Sequence, residues 1–267
     1  MTKTGRQAQG EVGSLTSYWE RTQWPFQGLI FLLPLILLYE IGTILYIRSY
    51  GENLPNLRAE RLLSEFFNLF GVSGVYLPGL ILVVVLFCWH LVRRDPWKPE
   101  PKLYFFMYGE AILLTIPLLV FAAIFMREQN MVQAMALAQA TTENVAQNTI
   151  NVAQTWQAGM LLSIGAGIYE ELVYRLILIA MIHALLVDLL ALPPFVGAIG
   201  AVLGSSLAFA WIHPTATSLG IFSFYTAAGV YFAMIYLSRG FGIVVATHVL
   251  YDIIAVSSVY FYNMMGD

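Results

Sequence analysis

The chain is 267 residues long, 59% of them hydrophobic and only 11% charged. A soluble domain carries charge on roughly 25% of its residues, so this composition excludes an ordinary soluble fold and indicates an all-α polytopic membrane protein. The net charge of −3 is too small to draw a nucleic acid, and no nucleic-acid partner is expected.

Residues 1–20 form a polar tail, and the opening Met1-Thr2-Lys3 stretch lacks the charged start, short apolar core and small-residue cleavage site of a signal peptide. Tyr18, Trp19 and Trp24 read as an interfacial aromatic belt. Trp24 to Ile47 is a first span, long enough at the helical rise to cross a bilayer, with Pro34 and Glu40 inside it. Glu40, near the helix end, reads as a snorkelling or paired carboxylate. In the polar connection over 48–74, Leu62, Leu63, Phe66, Phe67 and Phe70 oppose Arg58, Arg61 and Glu65. That pattern predicts a short interfacial amphipathic helix over Leu57–Phe70.

Val75 to Val92 is a second span, closed by the basic run Arg93-Arg94-Asp95-Pro96-Trp97-Lys98. It contains the single cysteine, Cys88, which can close no intrachain disulfide and reads as a buried, inert thiol. Leu103 to Met126 is a third span, with Glu110 and Pro117. Residues 127–155, rich in Ala, Gln, Asn and Thr, read as a polar helical connection or as extensions of the flanking spans; a lid is the other reading. Trp156 to Leu186 is a fourth span, Phe195 to Ile212 a fifth, Leu219 to Leu237 a sixth and Phe241 to Tyr262 a seventh. Leu192-Pro193-Pro194 and Arg239-Gly240-Phe241-Gly242 are the breaks between them. The organisation is therefore a tail over 1–20, helices over 21–126, a connection over 127–155 and a core over 156–262.

Loops rich in Lys and Arg stay in the cytoplasm. Arg93, Arg94, Lys98 and Lys102 place the second loop there. Alternation then puts the N-terminus and Arg239 on the same side and the C-terminus opposite, leaving Arg48, Arg58 and Arg61 outside.

Chemistry concentrates in the late spans. Glu170, Glu171 and Arg175 lie within the fourth, where hydrocarbon makes charge costly and an ionisable group is a functional-site hypothesis by default. Glu171 and Arg175 are four residues apart, stacked on one helix face, and can neutralise each other. Glu170 lies about 100° further round and has no partner on its own helix. His213 ends the fifth span in Phe209-x-x-x-His213, and the seventh carries His248-x-x-x-Asp252. These groups are tolerable in lipid if their helices face one another around a wet cavity. There a carboxylate with imidazoles can activate water and stabilise an oxyanion. His90 and His183 read as core histidines. His183 lies roughly 20 Å along the helix from Glu170, too far to join it.

Taken in order on successive late helices, Glu170-Glu171-x-x-x-Arg175, Phe209-x-x-x-His213 and His248-x-x-x-Asp252 resemble the CAAX-protease and bacteriocin-processing family (CPBP, or ABI) of intramembrane endopeptidases. Its best-known branch removes the last three residues of prenylated proteins. The likeness covers about residues 160–255. It implies that Glu170 is the base that activates water, that His213 assists it, and that His248 and the residue at 252 serve the oxyanion. Glu171, Arg175 and Phe209 would support the site. Asp252 stands where the prenyl-protease branch has Asn, and an ionised Asp cannot donate to an oxyanion.

The expected activity is hydrolysis of a peptide bond in a membrane-associated or lipid-modified protein, with membrane lipid and that substrate as partners and no cofactor. Two other readings stand beside it. Glu170, His213, His248 and Asp252 are acceptable zinc ligands by type, which would make a metallopeptidase, and a scaffold or immunity-type protein could retain the pocket without turnover. A bacterial inner membrane is the expected location, and nothing in the sequence sets an oligomeric state.

Overall fold

The computed structural model describes residues 18–50, 61–63, 65, 77–126, 156–213 and 219–266. Among them every regular element is helical. In chain order the long helices are α1 (Pro25–Tyr50), α2 (Leu77–Arg93), α3 (Pro101–Met126), α4 (Trp156–Leu189), α5 (Pro194–Ile212), α6 (Leu219–Arg239) and α7 (Phe241–Gly266). Six of them are long and apolar enough to cross a membrane; α2 is apolar but shorter, at 17 residues. The all-α, multi-pass architecture expected from the sequence is therefore what the chain forms. Pro34 and Pro117 lie inside α1 and α3, which continue through them. Most of the expected amphipathic helix over 57–70, the connection over 127–155 and the tail over 1–17 fall outside the described residues. Of the first, Arg61 to Leu63 are helical, Leu63 is buried, and Arg61 pairs with Glu65 at 3.8 Å.

Helix α7 is the axis of the bundle. Residues 241–249 are buried without a break, and α7 packs against α4, α3, α6 and α1. Helix α5 packs along α6 and along the C-terminal half of α4. Close approach of α4 to α7 depends on glycine. A Cβ on Gly167 would lie 2.9 Å from the Val249 amide nitrogen and 3.2 Å from its Cα, backbone atoms that cannot swing aside. Gly167→Ala is therefore expected to cost about 1–3 kcal/mol through overpacking. It should also lower activity, because Glu170 lies one turn further on; thermal unfolding in detergent and a cleavage assay check both effects.

The 34 residues of α4 run roughly 50 Å at the helical rise, well beyond a hydrocarbon core of about 30 Å. The helix is not uniform. It widens to π geometry over Leu172–Leu178, directly after the glutamate pair, and again over Leu185–Leu189. The wider turn inserts a residue where the sequence pattern reads as unbroken α-helix, a distortion frequent at functional sites.

One end of the bundle is tied by polar contacts. Arg239 forms a two-pronged ion pair with Glu110, which also accepts a 2.8 Å hydrogen bond from the Tyr18 hydroxyl. The Arg239 guanidinium lies 3.6 Å over the Trp19 ring. Burial and the Glu110 carboxylate push the Tyr18 phenol up to about 12, so it remains a donor. Gln23 donates to Ser238 O at 2.9 Å, Gln27 donates to Lys98 O at 2.9 Å, and Arg21 pairs with Glu100. Gly240, at φ +86°, turns between α6 and α7 against Thr22 and Gln23, where a side chain would collide with backbone. The start of α1, the α2–α3 loop and the α6–α7 turn thus share one end, as alternation requires.

Two of the isolated carboxylates have structural partners: Glu110 in this end cluster, and Glu40, which accepts from the Tyr169 hydroxyl at 3.3 Å. Cys88 departs from the expected buried thiol. It is exposed on the outer face of α2 with Val84, Phe87 and Leu91, because the inner face of that helix is taken by Leu82 and Leu86. His90 is buried as read, but aromatic rings rather than polar partners enclose it. Trp97 and Phe26 lie at 4.2 and 5.0 Å, and its nitrogens make no hydrogen bond among the described residues.

Candidate active site

The residues singled out on α4, α5 and α7 converge. Glu170, Glu171, Arg175, His213 and His248 are each less than a tenth exposed, and the Asp252 side chain is a quarter exposed at the edge. Glu171 and Arg175 form the expected pair, Nε to Oε2 at 3.2 Å, with neither side chain reached by solvent. The Arg175 guanidinium also lies 4.4 Å over the Phe209 ring and reaches Gly229 O at 3.4 Å. A planar cation stacked on an aromatic face while facing a carboxylate suits arginine in a way lysine cannot match.

Glu171 has a second partner that the sequence reading did not anticipate. Its Oε1 accepts from His248 Nδ1 at 2.7 Å. Because a carboxylate only accepts, the proton sits on Nδ1, and His248 Nε2 is aimed away, 3.5 Å from Asp252 Oδ2 and 3.9 Å from Glu170 Oε2. Expected to neutralise each other and support the site, the pair does so in part through Glu171, which also orients a site imidazole.

His213 caps the end of α5 with an extended backbone, φ −78° and ψ 114°. Its Nδ1 is 2.6 Å from Phe209 O, a carbonyl that can only accept, so this nitrogen donates and Nε2 carries the lone pair in the neutral ring. That Nε2 lies 3.9 Å from the same Glu170 Oε2. Phe209 therefore contributes both its ring, under Arg175, and its carbonyl. Glu170 faces two imidazoles from two other helices, each too far for a direct hydrogen bond and at a separation one water can bridge. A carboxylate and a neutral imidazole nitrogen are both acceptors, so a single water can donate to each.

Helix α6 carries none of the motifs and yet walls the site. Tyr225 stacks on His213 with ring centroids 4.0 Å apart at 22°, and Phe232 stacks on His248 at 4.5 Å and 19°. The two lie seven residues apart, on one helix face. In sequence they are two aromatics among many in an apolar helix, and that spacing was the available signal. His183 stays outside this group, half-buried beside Gly197 of α5. Among the described residues no three His, Cys, Asp or Glu side chains are arranged to hold a metal ion.

Beside these groups an apolar groove of about 720 Å³ opens between α4 and α5, lined by Val173, Tyr174, Leu178, Leu207, Trp211 and Phe222 and reached by Leu62. Val173 and Tyr174 follow the glutamate pair, and Trp211 precedes His213 by two residues.

We found no match among curated proteins or solved structures. A family model does match, over the region that holds every residue of this site. Residues 152–254 of the chain match the Rce1-like, type II CAAX prenyl endopeptidase family, the family its three motifs resemble.

Proposed function

We propose that the chain is an intramembrane endopeptidase in which Glu170 activates a water that attacks the carbonyl of a lipid-modified substrate peptide. The observation that carries this reading is the single carboxylate oxygen of Glu170 facing Nε2 of both His213 and His248 at 3.9 Å. Glu170 takes one proton of the water while His213 Nε2 accepts from the other and holds the water in line. The hydroxide oxygen bonds to the carbonyl carbon, and the carbonyl electrons move onto oxygen. Nε2–H of His248 donates to that oxyanion. With Nδ1–H already given to Glu171, this role requires the imidazolium, and the carboxylates of Glu171 and Asp252 on either side of the ring offset its charge. Collapse expels the amine, which takes its proton from Glu170. The apolar groove beside the site supports a substrate with a hydrocarbon modification, whose chain can pack against it without leaving an apolar medium. In this reading no metal or cofactor takes part, and the end bearing the basic cluster is cytoplasmic.

The test uses purified protein and a peptide whose prenylated cysteine is followed by three residues, with the unprenylated peptide as control. Release of the tripeptide from the first and much less from the second is the expected outcome. Asp252→Asn supplies a permanent donor beside His248 and should keep activity within about tenfold of wild type, roughly the energy of one hydrogen bond. Chelators should leave the wild type unchanged. Chelator-sensitive activity, restored by zinc and lost in Asp252→Asn, would replace the glutamate mechanism with a metal-dependent one.

A further inference from the structure

We propose that the loop joining α2 to α3 is a binding site for the headgroup of an anionic phospholipid, with Arg94, Lys98 and Lys102 as its phosphate-binding cations. The site is separate from the catalytic groups and asks nothing of the peptidase reading. In this corner of the bundle the acids are already taken. Asp95 pairs with Arg93 at 3.2 Å, and Glu100 pairs with Arg21. Arg94, Lys98 and Lys102 are exposed and make no ion pair among the described residues.

Two of these cations stand where local structure favours another residue. Arg94 directly follows α2 at φ 58°, a left-handed backbone that glycine adopts freely and other L-residues resist. Its N–H closes the helix on His90 O at 2.8 Å, the place that glycine usually holds. Lys102 is the second residue of α3, and the first turn of that helix carries no acid, although the positive end of a helix favours one. Cations kept at a cost in one short loop, without internal anions, need an anion supplied from outside. A loop that merely holds this end in one compartment needs the charges but not these positions.

The loop backbone is pinned. Lys98 O accepts from Gln27 at 2.9 Å, and the Tyr104 hydroxyl donates to Gln27 Oε1 at 2.7 Å and accepts from the Glu100 N–H at 3.2 Å. The Trp97 ring stands edge-on to His90, at 4.2 Å and 88°. Cations carried on a fixed backbone lose less freedom on binding. The apolar surroundings select a lipid over a free anion. Trp97 remains more than half exposed, and Leu91 and Val92 at the end of α2 and Phe105 and Phe106 near the start of α3 are exposed beside the loop. Acyl chains lie along those side chains, Trp97 sits at headgroup level, and the guanidinium and ammonium groups meet the phosphate.

The test is native mass spectrometry of the purified chain in a neutral detergent, titrated with phosphatidylglycerol, phosphatidylcholine or inorganic phosphate. Phosphatidylglycerol should be retained more tightly than phosphatidylcholine. Lys98→Gln and Lys102→Gln should each weaken its binding about fivefold, the effect of one basic side chain near an anionic headgroup. Arg94→Gly should weaken it similarly while the melting temperature in detergent holds or rises. Arg61→Gln, which removes an exposed cation from the α1–α2 connection at the opposite end of the bundle, should leave it unchanged. Equal retention of the two lipids would overturn the proposal, as would a loss in Arg61→Gln that matches the loop variants. Displacement of phosphatidylglycerol by equimolar inorganic phosphate would also overturn it, in favour of a free anion. None of these readouts passes through cleavage, so a chain that cuts no peptide but holds the lipid sinks the peptidase reading alone.

Discussion

Glu170→Gln is expected to lower peptide cleavage by roughly a thousandfold, within the range that loss of a general base produces, while the yield and thermal stability of the folded protein stay at wild-type level or rise. Both halves follow from its surroundings. Gln keeps the size of Glu but has no oxygen basic enough to take a proton from water. The partners facing Glu170 lie at 3.9 Å, so the change breaks no direct hydrogen bond to them and strands no group. It also removes a charge from a position only 6% exposed, where an ion is costly to hold. A residue whose neutral isostere is inactive yet no less stable is kept for chemistry, at a cost to the fold. The measurement pairs the rate of tripeptide release with the apparent melting temperature in the same detergent. Equal cleavage by Glu170→Gln and wild type would defeat the base assignment, and absence of cleavage in both, with a competent substrate, would favour the scaffold reading.

The parts of the site visible in the sequence are those whose cost is visible there. A glutamate pair, an arginine and histidines within apolar segments are expensive wherever the segments pack, so their convergence could be inferred before any contact was known. Spans of apolar residues likewise fix the helices, and the Pro and Gly breaks separate them. What stayed hidden depends on which faces meet. Glu171 was read with Arg175 alone, because spacing along one helix cannot show that α7 brings His248 Nδ1 to within 2.7 Å of it. Tyr225 and Phe232 were hidden for the opposite reason: an aromatic in an apolar helix costs nothing, so only their seven-residue spacing marks them, and many other aromatics share such spacings. Cys88 was misread because an apolar run does not show which of its faces turns to lipid. The π-helical turn after Glu171 left no pattern either, since seven residues are too few for a change of period to register against continuous hydrophobicity.

Arg175→Ala should have the largest effect on stability, a loss of about 3–5 kcal/mol, the cost of stranding one member of a buried ion pair. Arg175 and Glu171 are both fully buried, so once the guanidinium is gone water cannot reach the carboxylate without opening the bundle. The truncation also empties the space between Phe209 and Phe232, whose rings lie 4.4 and 5.5 Å from the guanidinium carbon. Arg175→Lys should fall between, keeping the charge but losing the planar stack and the reach to Gly229 O. The decisive comparison is the double variant Glu171→Gln with Arg175→Met. Replacing both charges at once leaves no unpaired ion, and methionine refills much of the volume, so stability should return most of the way in a double-mutant cycle. Activity should not return with it, because the amide oxygen at 171 can still accept from His248 Nδ1 but no longer offsets the charge of the imidazolium that serves the oxyanion. Denaturant titration in mixed micelles gives the first quantity and cleavage of the prenylated peptide the second. A double variant as unstable as Arg175→Ala would show that the loss comes from packing around Phe209 rather than from the stranded charge. A double variant that recovers activity along with stability would show that the reaction does not need the charge of Glu171.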